Sequence, residues 1–326
     1  MRLITLEEHY RSPQVDGEIG EAGDYFRSMN TAGEKAAQRL VNLSDLGERR
    51  LADMDRAGID LQVLSYTEPS PEILESSRAV PLAQRANDEM AEAVRRHPKR
   101  FAAFATLPVA DPSAAAIELE RTVKQFGFKG AMINGMAQGR FLDDAFFTPL
   151  LERAQALDVP LYLHPAPPAE AVEKTYFSGL EPGLARILSI AGWGWHAEQG
   201  LHTLRVIATG VFDRFPKLQI IIGHMGEMIP FFLARIDAIV MPFAKDLKRS
   251  VADYFHSNVH ITTSGLFTAP PLYLALAVVG ADRILFSVDY PYSSNEQGRA
   301  FLEKLSLAPV DFEKITHGNA ERLLKL

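Results

Sequence analysis

Five residues suited to hold a divalent cation each lie where a run of apolar or β-branched residues ends: Glu7, His9, His164, His224 and Asp289. Glu7 and His9 are two apart, so on a strand both side chains point to one side and Glu8 to the other. A carboxylate and an imidazole on one face make a ligand pair for a divalent ion. Taken alone, Glu-x-His also describes a strand that merely ends in polar residues. His164, in Tyr-Leu-His-Pro, and His224, in Ile-Gly-His-Met-Gly-Glu, read singly as rim histidines as readily as ligands. Asp289 follows Leu285-Phe286-Ser287-Val288 and either caps a loop or meets a cation, since a buried carboxylate without a partner is costly. Glu227, three residues after His224, either bonds that imidazole or is an ordinary first-turn acid. Arg235, two turns further on, either reaches an anionic group or, as is the default for a helix arginine, is simply exposed. His97, His196, His202, His256 and His317 show no ligand-like pairing, and His260 falls inside a strand.

These positions matter together only if the fold gathers them. Apolar runs at 3–9, 61–66, 101–107, 130–134, 160–164, 218–224, 259–264 and 284–289 predict eight strands. Helical periods fill the intervals at 44–57, 81–97, 112–126, 144–157, 201–212, 227–239, 271–279 and 296–305, with a last helix at 320–326. Ser44 caps the first of these and Gly58 ends it, while Pro81 and Pro112 fit first turns. Eight βα units predict an α/β fold, a single (β/α)8 TIM-type barrel over residues 1–326, and a doubly wound sheet is the alternative. Strand ends one, five, six and eight all carry candidate residues, and in a barrel those ends share one face. Two stretches exceed ordinary βα loops, about 10–43 after strand one and 166–200 after strand five. They are expected to form lids or contacts with a partner chain.

Composition removes several other classes. The 326 residues are 47% hydrophobic and 23% charged, with 41 acidic against 34 basic residues and a net charge of −7. Mild acidity leaves no electrostatic footprint for nucleic acid. No apolar run reaches the roughly 18 residues needed to span a bilayer, and the first residues lack the apolar core of a signal peptide, so a cytoplasmic protein is expected. With no cysteine, thiolate ligands and a cysteine nucleophile are unavailable, and any metal must be held by oxygen and nitrogen. Gly192-Trp193-Gly194-Trp195 has no phosphate-loop context.

Placed on strands one, five, six and eight, this set resembles the amidohydrolase superfamily. The likeness is to the branch holding aminocarboxymuconate-semialdehyde, γ-resorcylate, 2,3-dihydroxybenzoate and 5-carboxyvanillate decarboxylases. It rests on Glu7-Glu8-His9, Leu46-Gly47-Glu48-Arg49-Arg50, Asp53-Met54-Asp55, Gly223-His224-Met225-Gly226-Glu227, Asp289-Tyr290-Pro291 and Gly318-Asn319-Ala320. The resemblance implies one divalent metal on Glu7, His9, His164 and Asp289, with His224 beside it and Glu227 behind. Many members carry His-x-His on strand one. The Glu-x-His found here adds an oxygen ligand and widens the expected metal from zinc to manganese or magnesium. Lys35 stands where some relatives have a substrate-binding arginine and keeps the charge without the bidentate fork. Asn134 and Tyr290 join Lys35 as expected substrate contacts.

The implied activity is reversible, non-oxidative decarboxylation of an aromatic ortho-hydroxy acid of the dihydroxybenzoate kind. Asp289 is the proton donor to the ring carbon, aided by His224, Glu227 and Arg235. Hydrolysis of a lactone or amide at the same site is the alternative, and a non-catalytic binding barrel is a third reading. The expected partners are a small aromatic carboxylic acid and further copies of the chain, as a homodimer or homotetramer.

Overall fold

The computed structural model describes residues 2–30 and 36–326. Eight strands follow in chain order: β1 (Ile4–Tyr10), β2 (Leu61–Tyr66), β3 (Phe101–Ala103), β4 (Ala131–Asn134), β5 (Leu161–His164), β6 (Ile220–Ile222), β7 (Val259–Thr262) and β8 (Ile284–Leu285). They pair in sequence order, β1 to β3 in one sheet and β4 to β8 in another, and each pairing is parallel. That order has no reversal point, which sets aside the doubly wound alternative.

Two seams join the sheets. Between β3 and β4, the Ala105 N–H donates to Gly130 O at 2.9 Å and the Met132 N–H to Ala105 O at 3.0 Å. Beyond β8, the His9 N–H donates to Tyr290 O at 2.7 Å. Side chains complete this second seam. Ser287 Oγ accepts from the Glu7 N–H at 2.7 Å, and Glu8 Oε1 accepts from the Val288 N–H at 3.1 Å. The fold is a (β/α)8 barrel, and polar side chains stand in for the ladder where β8 is shortest.

The strand interiors are apolar on both faces because helices cover one side and the barrel interior fills the other. Ile4, Leu6, Val63, Phe104, Met132, Tyr162, Ile221 and Leu285 belong to one buried interior cluster, which Ala320 and Leu324 of the last helix also join. In β1 the register slips by one residue, since Thr5 pairs with Gln62 but Glu8 with Leu64. The bulge lets Leu6 pack in the interior cluster while Glu7, the next residue, also turns inward.

Several predicted helix starts are displaced, among them the one expected at 201, where the helix runs Gly194–Ala208. The helix expected from Ser44 begins at Glu48, because Ser44 follows the end of helix Ala36–Leu43 and Asp45 Oδ1 instead accepts the N–H groups of Gly47 and Arg50. The helix expected from Pro81 runs Ser76–Arg96, capped by Glu75, so Pro81 lies in its second turn. Asp111 caps Pro112–Phe126 as a first-turn proline suggests. In their described residues, both long insertions fold as short helices and meet each other. Arg186 donates to Tyr25 O at 3.0 Å and to Ser28 Oγ at 2.6 Å, so the insertions roof one side of the mouth together. No helix among the described residues is long and apolar enough to cross a membrane.

At the opposite end, the buried Asn319 Nδ2 donates to Ala281 O and Ile284 O, both at 2.7 Å. Asn319→Ala leaves these carbonyls without that donor and is predicted to cost about 2–4 kcal/mol in urea unfolding. Divalent-metal binding at the distant mouth should be unchanged.

Candidate active site

At the C-terminal mouth, β1 supplies Glu7 and His9 and β5 supplies His164, while Asp289 stands just beyond β8. Their ligand atoms all lie within 4.8 Å of one another. His9 Nε2 is 3.1 Å from Asp289 Oδ1, and His164 Nε2 is 3.2 Å from Glu7 Oε1. One atom of each strand-one ligand is anchored and the other turned inward. Glu7 Oε2 accepts from the Tyr162 and Ser264 hydroxyls, and His9 Nδ1 lies 3.2 Å from Ser65 Oγ. Glu7 Oε1 and His9 Nε2 are buried with no hydrogen-bond partner, an arrangement that fits a cation between them.

The electrostatics agree. Burial opposes ionisation of Glu7, but His224, His164 and His9 outweigh it and hold the carboxyl well below its usual range. Burial holds His9 low, which favours the neutral imidazole that binds metal. These are the protonation states a divalent cation requires.

His224 reaches the mouth through an unusual turn. His224, Met225, Gly226, Glu227 and Met228 have successive φ values of 49, 57, 86, 51 and 65°. Left-handed backbone costs a non-glycine residue roughly 1–2 kcal/mol, so this turn survives only because packing imposes it. Gly223 permits the approach, since a Cβ there would stand 2.9 Å from Glu7 Oε2. The turn sets His224 Nε2 3.9 Å from both Glu7 Oε1 and Asp289 Oδ2. Behind the ring, Nδ1 lies 2.8 Å from Glu227 Oε1. Burial alone would discharge His224, but Glu227, Glu7 and Asp289 outweigh it and raise its pKa well above the usual value.

Of the expected substrate contacts, Asn134 lies buried beside His164, its register partner. Its amides donate to Glu72 Oε2 at 2.9 and 3.3 Å, and its Oδ1 has no partner. Lys35 lies outside the described residues. Two expectations are corrected. Tyr290 is turned away from the mouth, with its hydroxyl on Asp53 at 2.7 Å and Arg50 over its ring. Tyr292 instead approaches the site, its ring 5.5 Å from that of His9. Arg235 is exposed on helix Ile229–Val240, about 200° round from the buried Leu233, and makes no hydrogen bond or ion pair with His224 or Glu227.

Other participants were not expected. Tyr162 lies two residues before His164 on the same face, and Ser264 ends the polar run Thr262-Thr263-Ser264 after β7, so both carried a readable signal. His196, set aside on its sequence context, meets Glu227 at 2.7 Å. A cavity of about 890 Å³ adjoins β4 and β5 under the insertions, with Glu72 and Asn134 among its polar residues and Tyr25, Phe26, Ile73 and Phe177 among its apolar ones.

An oxygen-and-nitrogen metal site at the mouth of a (β/α)8 barrel defines a metal-dependent barrel enzyme class. The amidohydrolase family matches residues 43–326, and the chain belongs to it. The chain is 42% identical to gamma-resorcylate decarboxylase of Polaromonas sp., covering 99% of this chain and 98% of that one. Among solved structures, a dihydroxybenzoic acid decarboxylase from Polaromonas sp. with bound manganese and 2-nitroresorcinol is 37% identical, with a TM-score of 0.89 over 100% of this chain and 97% of that one. A 5-carboxyvanillate decarboxylase from Novosphingobium aromaticivorans, with manganese and 4-hydroxy-3-methoxy-5-nitrobenzoic acid, is 34% identical, with a TM-score of 0.91 over 100% and 96%.

Burial raises the Glu72 pKa from 4.5 to about 7, against the opposing pull of the Asn134 amides. Between those values the folded chain holds a proton that the unfolded chain has lost, so Glu72 makes stability fall as pH rises through this window. Glu72→Gln removes the term, and its stability relative to the parent should climb from pH 4.5 to 7 in thermal unfolding and then level off.

Proposed function

We propose that this chain is a metal-dependent carboxy-lyase acting on an aromatic acid with a hydroxyl ortho to the carboxylate. The observation that carries the reading is the inward-facing pair Glu7 Oε1 and His9 Nε2, buried and in no hydrogen bond, closed by His164 and Asp289 into one ligand set. Similarity to manganese-bearing decarboxylases supports it. Glu7, His9, His164 and Asp289 would hold one divalent ion, manganese, zinc or magnesium, whose Lewis acidity serves the substrate carboxylate and adjacent phenolate.

The protein's own residues account for the proton. Asp289 takes one up as substrate binds and delivers it to the ring carbon that bears the carboxylate. That carbon loses its place in the aromatic system, the bond to the carboxyl carbon breaks, and its electron pair returns to the ring as CO2 leaves. One proton is consumed and one CO2 released. His224 hydrogen-bonds the phenolic oxygen and assists the charge changes, and Glu227 keeps its ring in place. Run backward, the same path carboxylates a phenol at high bicarbonate. The cavity under the insertions, about 890 Å³, is more than large enough to admit a small aromatic acid and borders Asn134, the proposed substrate contact, though none of the four metal ligands lines it. Exposed Phe231, Phe232, Phe243 and Trp193 favour assembly of the chain as a homodimer or homotetramer.

With 2,6-dihydroxybenzoate, the manganese-loaded protein should release CO2, chelation should abolish the activity, and added manganese should restore it. Asp289→Asn should lower kcat by ~10² to 10⁴ while circular dichroism stays unchanged. Retained CO2 release in Asp289→Asn would refute the proton assignment. Turnover of lactones or amides but of no hydroxybenzoate would replace the reading with hydrolysis.

A further inference from the structure

His196 lies in the insertion after β5, at the start of helix Gly194–Ala208, and its ring ends on Glu227. Its Nδ1 is 2.7 Å from Glu227 Oε2, while Glu227 Oε1 is 2.8 Å from His224 Nδ1. The two imidazoles flank one carboxylate with their rings 4.6 Å apart and 68° from coplanar. Glu227 is buried and, as a carboxylate, only accepts hydrogen bonds, so both facing nitrogens carry a proton. At the far side of the His196 ring, the Trp195 Nε1–H donates to Nε2 at 3.0 Å, which leaves the ring proton on Nδ1 and fixes the ring. Two imidazoles and a carboxylate also have metal-ligand chemistry. Here the N···O separations, 2.7 and 2.8 Å, are shorter than the 3.1 and 3.2 Å within the Glu7–His9–His164–Asp289 set and suit direct N–H···O bonds. The helix also presses on the left-handed turn itself, because a Cβ at Gly200 would stand 2.9 Å from Glu227 O.

We propose that His196 is a positioning residue: its Nδ1–H ties down the second oxygen of Glu227, fixing the carboxylate plane and hence the Nδ1–H bond and orientation of His224. With one oxygen released, a carboxylate can swing about its terminal torsion, and His224 Nε2 would lose its fixed direction toward the mouth. The insertion after β5 thus reaches the reacting groups through two side chains. The kinetic part of this inference rests on the decarboxylase reading, while the structural part does not.

His196→Phe keeps a ring of similar bulk without the donor, and His196→Asn keeps a donor near the position of Nδ1. In magnesium-loaded protein with ¹⁵N-labelled histidine, NMR should show a protected, hydrogen-bonded Nδ1–H signal for His224. The signal should be lost in the Phe variant and recovered in the Asn variant. With manganese and 2,6-dihydroxybenzoate, kcat should fall about 10- to 100-fold in the Phe variant at nearly unchanged KM and recover in the Asn variant. An unaltered His224 signal in the Phe variant, or an Asn variant as impaired as the Phe one, overturns the assignment. If no hydroxybenzoate is turned over, the decarboxylase reading fails and the NMR comparison still decides the role of His196.

Discussion

A carboxylate removed from water at the centre of a barrel is the constraint that organises this protein. Glu7 is fully buried, and an isolated buried charge of that kind would cost several kcal/mol or more. The fold answers on two sides. Tyr162 and Ser264 hydroxyls satisfy one oxygen, and three histidines surround the other. The β1 bulge turns Glu7 inward, and Gly223 clears the space beside it. With one oxygen satisfied and the other among histidines but in no hydrogen bond, the site suits a divalent cation, and His9, His164 and Asp289 are placed to share it.

The same mouth concentrates the least comfortable backbone among the described residues. Five consecutive residues from His224 to Met228 have left-handed φ, and Asp289 has φ of 71°. Three of the polar residues central to the chemistry, His224, Glu227 and Asp289, therefore sit in conformations that their side chains do not prefer. Tight packing holds them: the helix carrying His196 and Gly200 lies on the turn, and the Glu8–Ser287–Val288 bonds fasten the strand before Asp289. Strain is borne where direction matters, and apolar burial elsewhere compensates.

Much of this was legible in the sequence. Period-two alternation put Glu7 and His9 on one face, and apolar runs ending in His164, His224 and Asp289 marked the mouth. Local pattern failed where side chains answer to partners distant in sequence. Tyr290 was misjudged because Asp289 breaks strand geometry, so alternation no longer tells which tyrosine faces in. Arg235 sits on the solvent side of its helix, a phase set by Leu233 and Ile229 rather than by its spacing from His224. His196 carried no signal, since its partner is 31 residues away and they meet only through the folded insertion. Ser44 and Pro81 are good helix-start residues whose neighbours Asp45 and Glu75 do the capping.

Anomalous diffraction at the manganese edge from crystals of the manganese-loaded protein tests the central claim most directly. The account predicts one ion per chain, bonded to Glu7, His9, His164 and Asp289 and not to Glu227. An ion between His196, His224 and Glu227, or none at the mouth under saturating manganese, would contradict it.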